Sequence, residues 1–474
     1  MAENVDLVVL GAGPGGYVAA VRAAQLGMKV AVVEKEKVGG VCLHKGCIPS
    51  KTLLRSAEIY QHAKHGEEYG VRVGDVTLDF AGVQARKEKV VGQLHKGVEG
   101  LLKKNKVDVY KGVGRILGPS IFSPQPGTIS VESEDGSDPV ILVPQYVLIA
   151  TGSRPRTLPG LDIDGTYVMN SDHALQMQEL PQSIIIVGGG VIGIEWASML
   201  SDFGVEVTVV EFANRILPFE DEDVSKEMAR LMKKRKVRVL TNTKVLPESV
   251  SKADGVVTLQ AESGSEVITL TAEKVLVSVG RQANIEDIGL HNTAIETEKG
   301  VIKVNEFMQT KEKHIYAIGD VVGGYQLAHV ASHEGILAVE HMAGLDVHPL
   351  NPQEVPRCTY SRPEVGSIGL TEAEAKAQGY EVKVGKFPFR GAGKALVYGE
   401  PDGFIKIVSD AKTDDLLGVH IIGPHATDMI SEAGLAKVLD ATAWEIAQVI
   451  HPHPTLSEAY LEAALAVDGK AIHG

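Results

Sequence analysis

Short apolar runs, each closing on a cluster of glycines, set the rhythm of this chain. Val5–Leu10 is rich in valine and leucine, and its length and composition predict a buried parallel strand. Gly11-Ala12-Gly13-Pro14-Gly15-Gly16 follows, then an alanine-rich helical pattern over Tyr17–Leu26. A second strand over Lys29–Val33 ends at Glu34. The same construction returns farther along. Ser183–Val187 predicts a strand, Gly188-Gly189-Gly190-Val191-Ile192-Gly193 a turn, Ile194–Phe203 a helix, and Glu206–Val210 a strand that ends at Glu211.

Strand, glycine turn, helix, strand and acid in that order describe a dinucleotide-binding βαβ unit. Gly11 makes the tight turn, Gly13 lets backbone approach a pyrophosphate, and Gly16 permits close helix–strand packing. The phosphates would rest on the unpaired N–H groups of the helix N-terminus, with Glu34 accepting from ribose hydroxyls. Gly188, Gly190 and Gly193 repeat the roles in the second unit. Two units imply two bound dinucleotides, the layout of a flavoprotein that also binds a nicotinamide. Glu211 would accept from a free 2′-hydroxyl and repel a 2′-phosphate, which favours NAD over NADP, although Arg215 lies close by.

Composition narrows the picture further. At 474 residues the chain is too long for one core and predicts several domain-sized units. A formal net charge of −14 argues against a nucleic-acid binder. It fits either simple solubility or an acidic surface that docks on a basic partner. The first residues carry acids and no basic segment, and no apolar run reaches the length of a membrane span. Neither a secretory signal nor a membrane anchor is therefore expected, and the expected location is the cytoplasm. Of the three cysteines, Cys42 and Cys47 form a close pair, and Cys358 reads as a buried small hydrophobe. Two cysteines without partner histidines make a poor zinc site, so a catalytic dithiol is the stronger expectation and no metal is expected. Lys45 and Lys51 lie nearby and would favour the thiolate.

Cys42-Leu43-His44-Lys45-Gly46-Cys47-Ile48-Pro49-Ser50-Lys51 behind Gly11-x-Gly13-x-x-Gly16 resembles the pyridine nucleotide–disulfide oxidoreductases, and the likeness runs the length of the chain. The resemblance implies an α/β fold: two Rossmann-like dinucleotide-binding domains and a C-terminal α+β dimerisation domain. It implies an FAD-binding domain over 1–150, an NAD-binding domain over 151–281, a central domain over 282–350 and an interface domain over 351–474. By the same likeness Ala150-Thr151-Gly152 is the crossing strand, and Ile315–Asp320 is the second flavin motif. Asp320 would bind the ribityl hydroxyls, Ala328 would bring backbone to the flavin, and Gly114, Thr151, Gly152 and Lys51 would complete the FAD site. Glu195 would pair with Lys51, and Val245 and Gly280 would join the nicotinamide site.

His451-Pro452-His453-Pro454-Thr455-Leu456-Ser457-Glu458 resembles the family's histidine–glutamate dyad, with His453 as base and Glu458 as its carboxylate. A thiol substrate needs a base, and imidazole titrates in the useful range. His451 is the rival. In family members the dyad serves the cysteines of the other subunit, so a homodimer is implied. Cysteine spacing, Glu211 and the absence of a terminal cysteine pair favour the branch that oxidises protein-bound dihydrolipoamide with NAD. Its partners would be a lipoyl domain and the acyltransferase core of a 2-oxoacid dehydrogenase complex. His44-Lys45 departs from the Asn-Val often found there, and with Leu-Leu-Arg-Ser-Ala at 53–57 looks more like enzymes of bacterial branched-chain complexes. In the mechanism that follows, substrate thiolate attacks Cys42, Cys47 faces the flavin, and electrons pass through FAD to NAD.

Overall fold

The computed structural model describes residues 2–120, 125–133 and 135–473, and these divide into two compact units. The first comprises 1–52, 81–156 and 281–350; the second comprises 53–80, 157–280 and 351–474.

The first unit is built on one sheet. Asp108–Lys111, Val30–Glu34, Ala2–Leu10 and Val140–Ile149 run parallel in that order. Ile315–Ala317 extends the sheet along the end of Val140–Ile149, and an antiparallel pair, Ile129–Glu132 and Val113–Ile116, continues it from the other end. Leu7 and Val9 point into one buried cluster with Ala19, Ala23 and Ala338, whereas Val8 and Leu10 point into another with Ile116, Val147 and Ile302. Both faces are covered, which is why the strand reads as continuously apolar from Leu7 to Leu10 instead of alternating. It begins at Ala2, ahead of the expected Val5, because Ala2 and Glu3 find partners in Ile141 and Leu142. A short antiparallel pair, Ser153–Pro155 with Arg281–Ala283, is fastened by Asn284, whose N–H and side chain bond Gly152 O and Thr151 O at 2.9 and 3.0 Å.

The second unit holds a five-stranded parallel sheet, an antiparallel three-stranded meander and a C-terminal domain. In the parallel sheet Ser183–Val187 lies between Glu206–Val210 and Lys274–Val277. The C-terminal domain is a five-stranded antiparallel sheet with helices Ala426–Val438, Ala443–Gln448 and Glu458–Val467. Its core gathers Phe387, Phe389, Ile405, Ile421 and Tyr460. Leu435, Val438, Leu439, Trp444 and Ile450 are exposed on the same domain, and Ile450 is 95% exposed. Two Rossmann-like folds and an α+β domain are thus present. Among the described residues no helix is long and apolar enough to cross a membrane.

Within the second unit a buried lysine ties strand to helix. Lys406 Nζ contacts Asp221 Oδ1, Asp223 Oδ2 and Glu372 Oε2 at 2.9, 3.1 and 2.7 Å. Asp221 also caps the Glu222–Lys234 helix by accepting from Asp223 N. Removing the cation strands the buried Asp221 carboxylate, so Lys406→Met should lower stability by about 3 kcal/mol. Thermal unfolding should show a midpoint lower by several degrees, and an unchanged midpoint would refute the role.

Candidate active site

The two glycine turns are built alike. Gly11 N donates to Val33 O and Ala150 N to Leu10 O, both at 2.8 Å; Gly188 N donates to Val210 O and Ser278 N to Val187 O, also at 2.8 Å. Gly11 and Gly188 adopt φ of +100° and +110°, and a Cβ on either would collide with the carbonyl of Ala150 or Ser278. A Cβ on Gly16 or Gly193 would strike the turn's own first carbonyl. Gly13 and Gly190 cap helices Pro14–Gln25 and Val191–Asp202 with no side-chain bond, and the space beside them is open. Backbone N–H groups at such ends need partners, and a pyrophosphate supplies them. The first helix starts at Pro14, which suits the first helical position, earlier than the expected Tyr17.

The acids close each turn. Glu34 accepts Ala12 N and Glu36 N at 2.8 Å each, one on each oxygen; Glu211 accepts Gly189 N at 2.5 Å and Ala213 N at 2.6 Å. Both carboxylates are fixed by amides, and each oxygen keeps lone-pair capacity for a ribose hydroxyl. Arg215 turns to the carbonyls of Pro218 and Glu220, so it is engaged within its own loop. Val245 is buried in the core, which leaves only its backbone for a nucleotide, and Gly280 has open space and φ of +104°. Glu195 is buried, not a surface acid, and accepts Tyr360 N at 2.9 Å.

FAD fits the first unit. Besides the Gly13 helix end, helix Ala328–Met342 opens at Leu327 without a side-chain cap and brings Ala328 to its first position. Asp320 accepts from Ser153 Oγ, and Arg281 Nε lies 3.7 Å from the same carboxylate and donates to Ser153 Oγ at 2.7 Å. Thr151 Oγ1 donates to Asn284 O at 2.7 Å, and Gly114 packs closely against the Leu10 and Val33 side chains. The motifs did not reveal Ser153 and Arg281, because their use depends on a strand pair distant in sequence.

Cys42 lies in helix Gly40–Lys45, and Cys47 is the first residue of helix Cys47–Lys64, with Gly46 breaking the two. Cys47 thus opens its helix, where the dipole favours its thiolate. The sulfurs share a hydrogen bond. That bond first, then burial, holds the Cys42 proton far above the ordinary cysteine range, while Lys51 pulls the other way. Lys45 does not contribute as expected: its Nζ is 2.5 Å from Glu36 Oε2 and faces solvent. His44 Nε2 and His95 Nδ1 both bond Val38 O, which anchors the Cys42 helix.

The two C-terminal histidines separate cleanly. His451 is buried with Nε2 at 2.7 Å from Glu432 Oε1, and its Nδ1 has no hydrogen-bond partner among the described residues. His453 is 79% exposed, and its Nδ1 lies 2.8 Å from Glu458 Oε1. Burial raises the Glu458 carboxyl, yet Thr455 N–H and His453 outweigh it and hold the group below its usual range. An ionised Glu458 only accepts, so Nδ1 carries the hydrogen and the outward Nε2 keeps its lone pair. His453 can act as a base; His451 cannot reach solvent.

A family model described as pyridine nucleotide-disulphide oxidoreductase matches residues 5–335, and the dimerisation-domain model of that family matches residues 355–464. The dihydrolipoyl dehydrogenase of Bacillus subtilis strain 168 is 67% identical over 473 residues, covering 100% of both chains. That of Zymomonas mobilis is 46% identical over 474 residues, again covering 100% of both. Among solved structures, LpdA of Mycobacterium tuberculosis superposes with a TM-score of 0.90 at 27% identity, covering 98% of this chain and 99% of that one.

Proposed function

The chain belongs to the pyridine nucleotide-disulphide oxidoreductases, and on that footing we propose that it is a dihydrolipoyl dehydrogenase whose turnover runs through Cys42 and Cys47. It is a flavoprotein that uses FAD and NAD. The observation that carries the reading is the pair of sulfurs in hydrogen-bonding contact at the junction of two helices. We assign Gly11, Gly13, Gly16, Glu34, Lys51, Gly114, Thr151, Gly152, Asp320 and Ala328 to FAD. Gly188, Gly190, Gly193, Glu195, Glu211, Gly280 and the backbone of Val245 are assigned to NAD or to its flavin-facing side, where Glu195 would pair with Lys51.

The residues act in order. His453 Nε2 takes a proton from one thiol of dihydrolipoamide, and the thiolate attacks Sγ of Cys42 in the oxidised pair. The Cys42–Cys47 bond breaks, and Cys47 leaves as a thiolate at its helix end. The second substrate sulfur, deprotonated, attacks the mixed disulfide, closes the oxidised ring and releases Cys42, which takes the proton. FAD held at the Gly13 helix end and the Asp320 turn would supply the two-electron chemistry that links the Cys42–Cys47 dithiol to NAD and restores the disulfide. Glu458 keeps His453 in the tautomer this scheme needs.

The chain carries a dimerisation domain, which supports a homodimer. The exposed apolar residues of that domain and the outward His453 support a dyad supplied by the second copy. We place the enzyme in the cytoplasm, with a lipoyl domain as substrate and a 2-oxoacid dehydrogenase acyltransferase as partner.

Purified enzyme should reduce NAD with dihydrolipoamide and reduce NADP at least tenfold less efficiently, while failing to oxidise NADPH with glutathione disulfide. Glu211→Ala should narrow the NAD preference by roughly tenfold. Turnover only with glutathione disulfide would overturn the substrate assignment.

A further inference from the structure

Glu334 takes no part in the sulfur chemistry. It lies in the middle of helix Ala328–Met342, buried, and its Oε2 accepts the Gly319 N–H at 2.6 Å. Gly319 opens the turn that presents Asp320. The next residue along the same helix, Gly335, makes a second close approach. A Cβ there would lie 2.7 Å from Gly15 O, and a Cβ on Gly15 would lie 2.9 Å from Ala331 O. Gly15 belongs to the helix that opens on Gly13. Adjacent residues of one helix therefore hold the turn bearing Asp320 and the helix whose end receives the pyrophosphate.

We propose that Glu334 is a positioning residue for FAD, fixing the Gly319–Asp320 turn against the glycine-turn helix before the cofactor arrives. The proposal rests on the assignment of FAD to this unit. Its chemistry predicts a pH dependence. Burial and then Asp320 push the Glu334 carboxyl up to about 7, against the Gly319 N–H. Asp320 is the acid facing it, tempered by Ser153 and by Arg281 at 3.7 Å. His329 and His333 of the same helix are exposed, and the Arg22–Glu340 ion pair joins the two helices at another point. FAD adds negative charge, so its binding favours the neutral carboxyl and takes up a proton. A raised folded value means that stability is full below the ordinary carboxyl range and declines as pH rises through about 7. Cofactor retention should follow the same direction.

The test is flavin release from purified holoenzyme between about pH 5.5 and 8.5, followed by free-flavin fluorescence, with thermal unfolding of the flavin-free protein in parallel. Wild type should release FAD about tenfold faster at the alkaline end. Glu334→Gln keeps an acceptor for Gly319 without charge, and its release should be slow and flat across the range. Glu334→Ala should release faster at every pH. A Glu334→Gln curve that tracks wild type, or a Glu334→Ala variant that holds FAD as wild type does, would overturn the proposal. Should Glu334→Ala fail to fold, Glu334→Gln decides alone. Wild-type protein purified without any flavin would instead sink the FAD assignment itself.

Discussion

Cys47→Ser should abolish NAD reduction by dihydrolipoamide, with a loss of roughly four orders of magnitude, while oxidation of NADH by a dye survives within a few-fold. The contrast follows from where the residue sits. Cys47 is half of the only close cysteine pair, and without its sulfur no disulfide can form to receive the substrate thiolate. The glycine turns and the carboxylates that close them do not involve either cysteine, so both dinucleotides still bind. Cys42→Ser should cost as much in the full reaction but differ in thiol chemistry. It replaces the neighbouring sulfur with a hydroxyl that can still donate to Cys47, which keeps its place at the helix end. Alkylation rates against pH should report that change. Dihydrolipoamide turnover within tenfold of wild type in either variant would end the assignment of the pair.

For His453→Gln, general-base catalysis contributes roughly 10²–10⁴-fold, and a loss in that range is expected in the dihydrolipoamide reaction. The loss should fall on the half-reaction that oxidises substrate and spare the half-reaction with NAD, which rapid-mixing measurements separate. Glu458→Gln should cost less, because His453 keeps its ring but loses the acceptor that fixes its tautomer. His451→Gln is the control. That ring is buried against Glu432, so its loss should register in unfolding temperature more than in the pH profile of turnover. If His451→Gln rather than His453→Gln removed the pH dependence, the base would have been misidentified.

Much of this site was legible in the sequence because its signals are local. The strands Ser183–Val187 and Glu206–Val210 fall where the apolar runs placed them, and the first, buried from Ile184 to Val187, writes its burial continuously. The acids Glu34 and Glu211 could be chosen from their place at strand ends. What could not be read depends on partners far apart in the chain. The two histidines around Pro452 are indistinguishable until one is seen against Glu432 and the other against Glu458. Lys45 looked like an activator until it was found with Glu36. Gly15 sits inside the glycine motif at a position the motif leaves open, and its need for glycine comes from Ala331, more than 300 residues on. Glu334 carries no motif at all.

The likeness of the two glycine turns has a consequence for residence time. Hydrogen bonds, close approaches and the amide-held acid match between them nearly atom for atom, so neither turn by itself can distinguish a dinucleotide that stays from one that comes and goes. Tenancy must be decided by the second attachment. On the proposed assignment the first unit supplies one for FAD, in the Asp320 turn and the start of helix Ala328–Met342. A guest fixed at both ends leaves only when both let go, whereas one gripped at a single turn exchanges on every cycle. The same handle, used twice, thus serves once as a hinge pin and once as a revolving door.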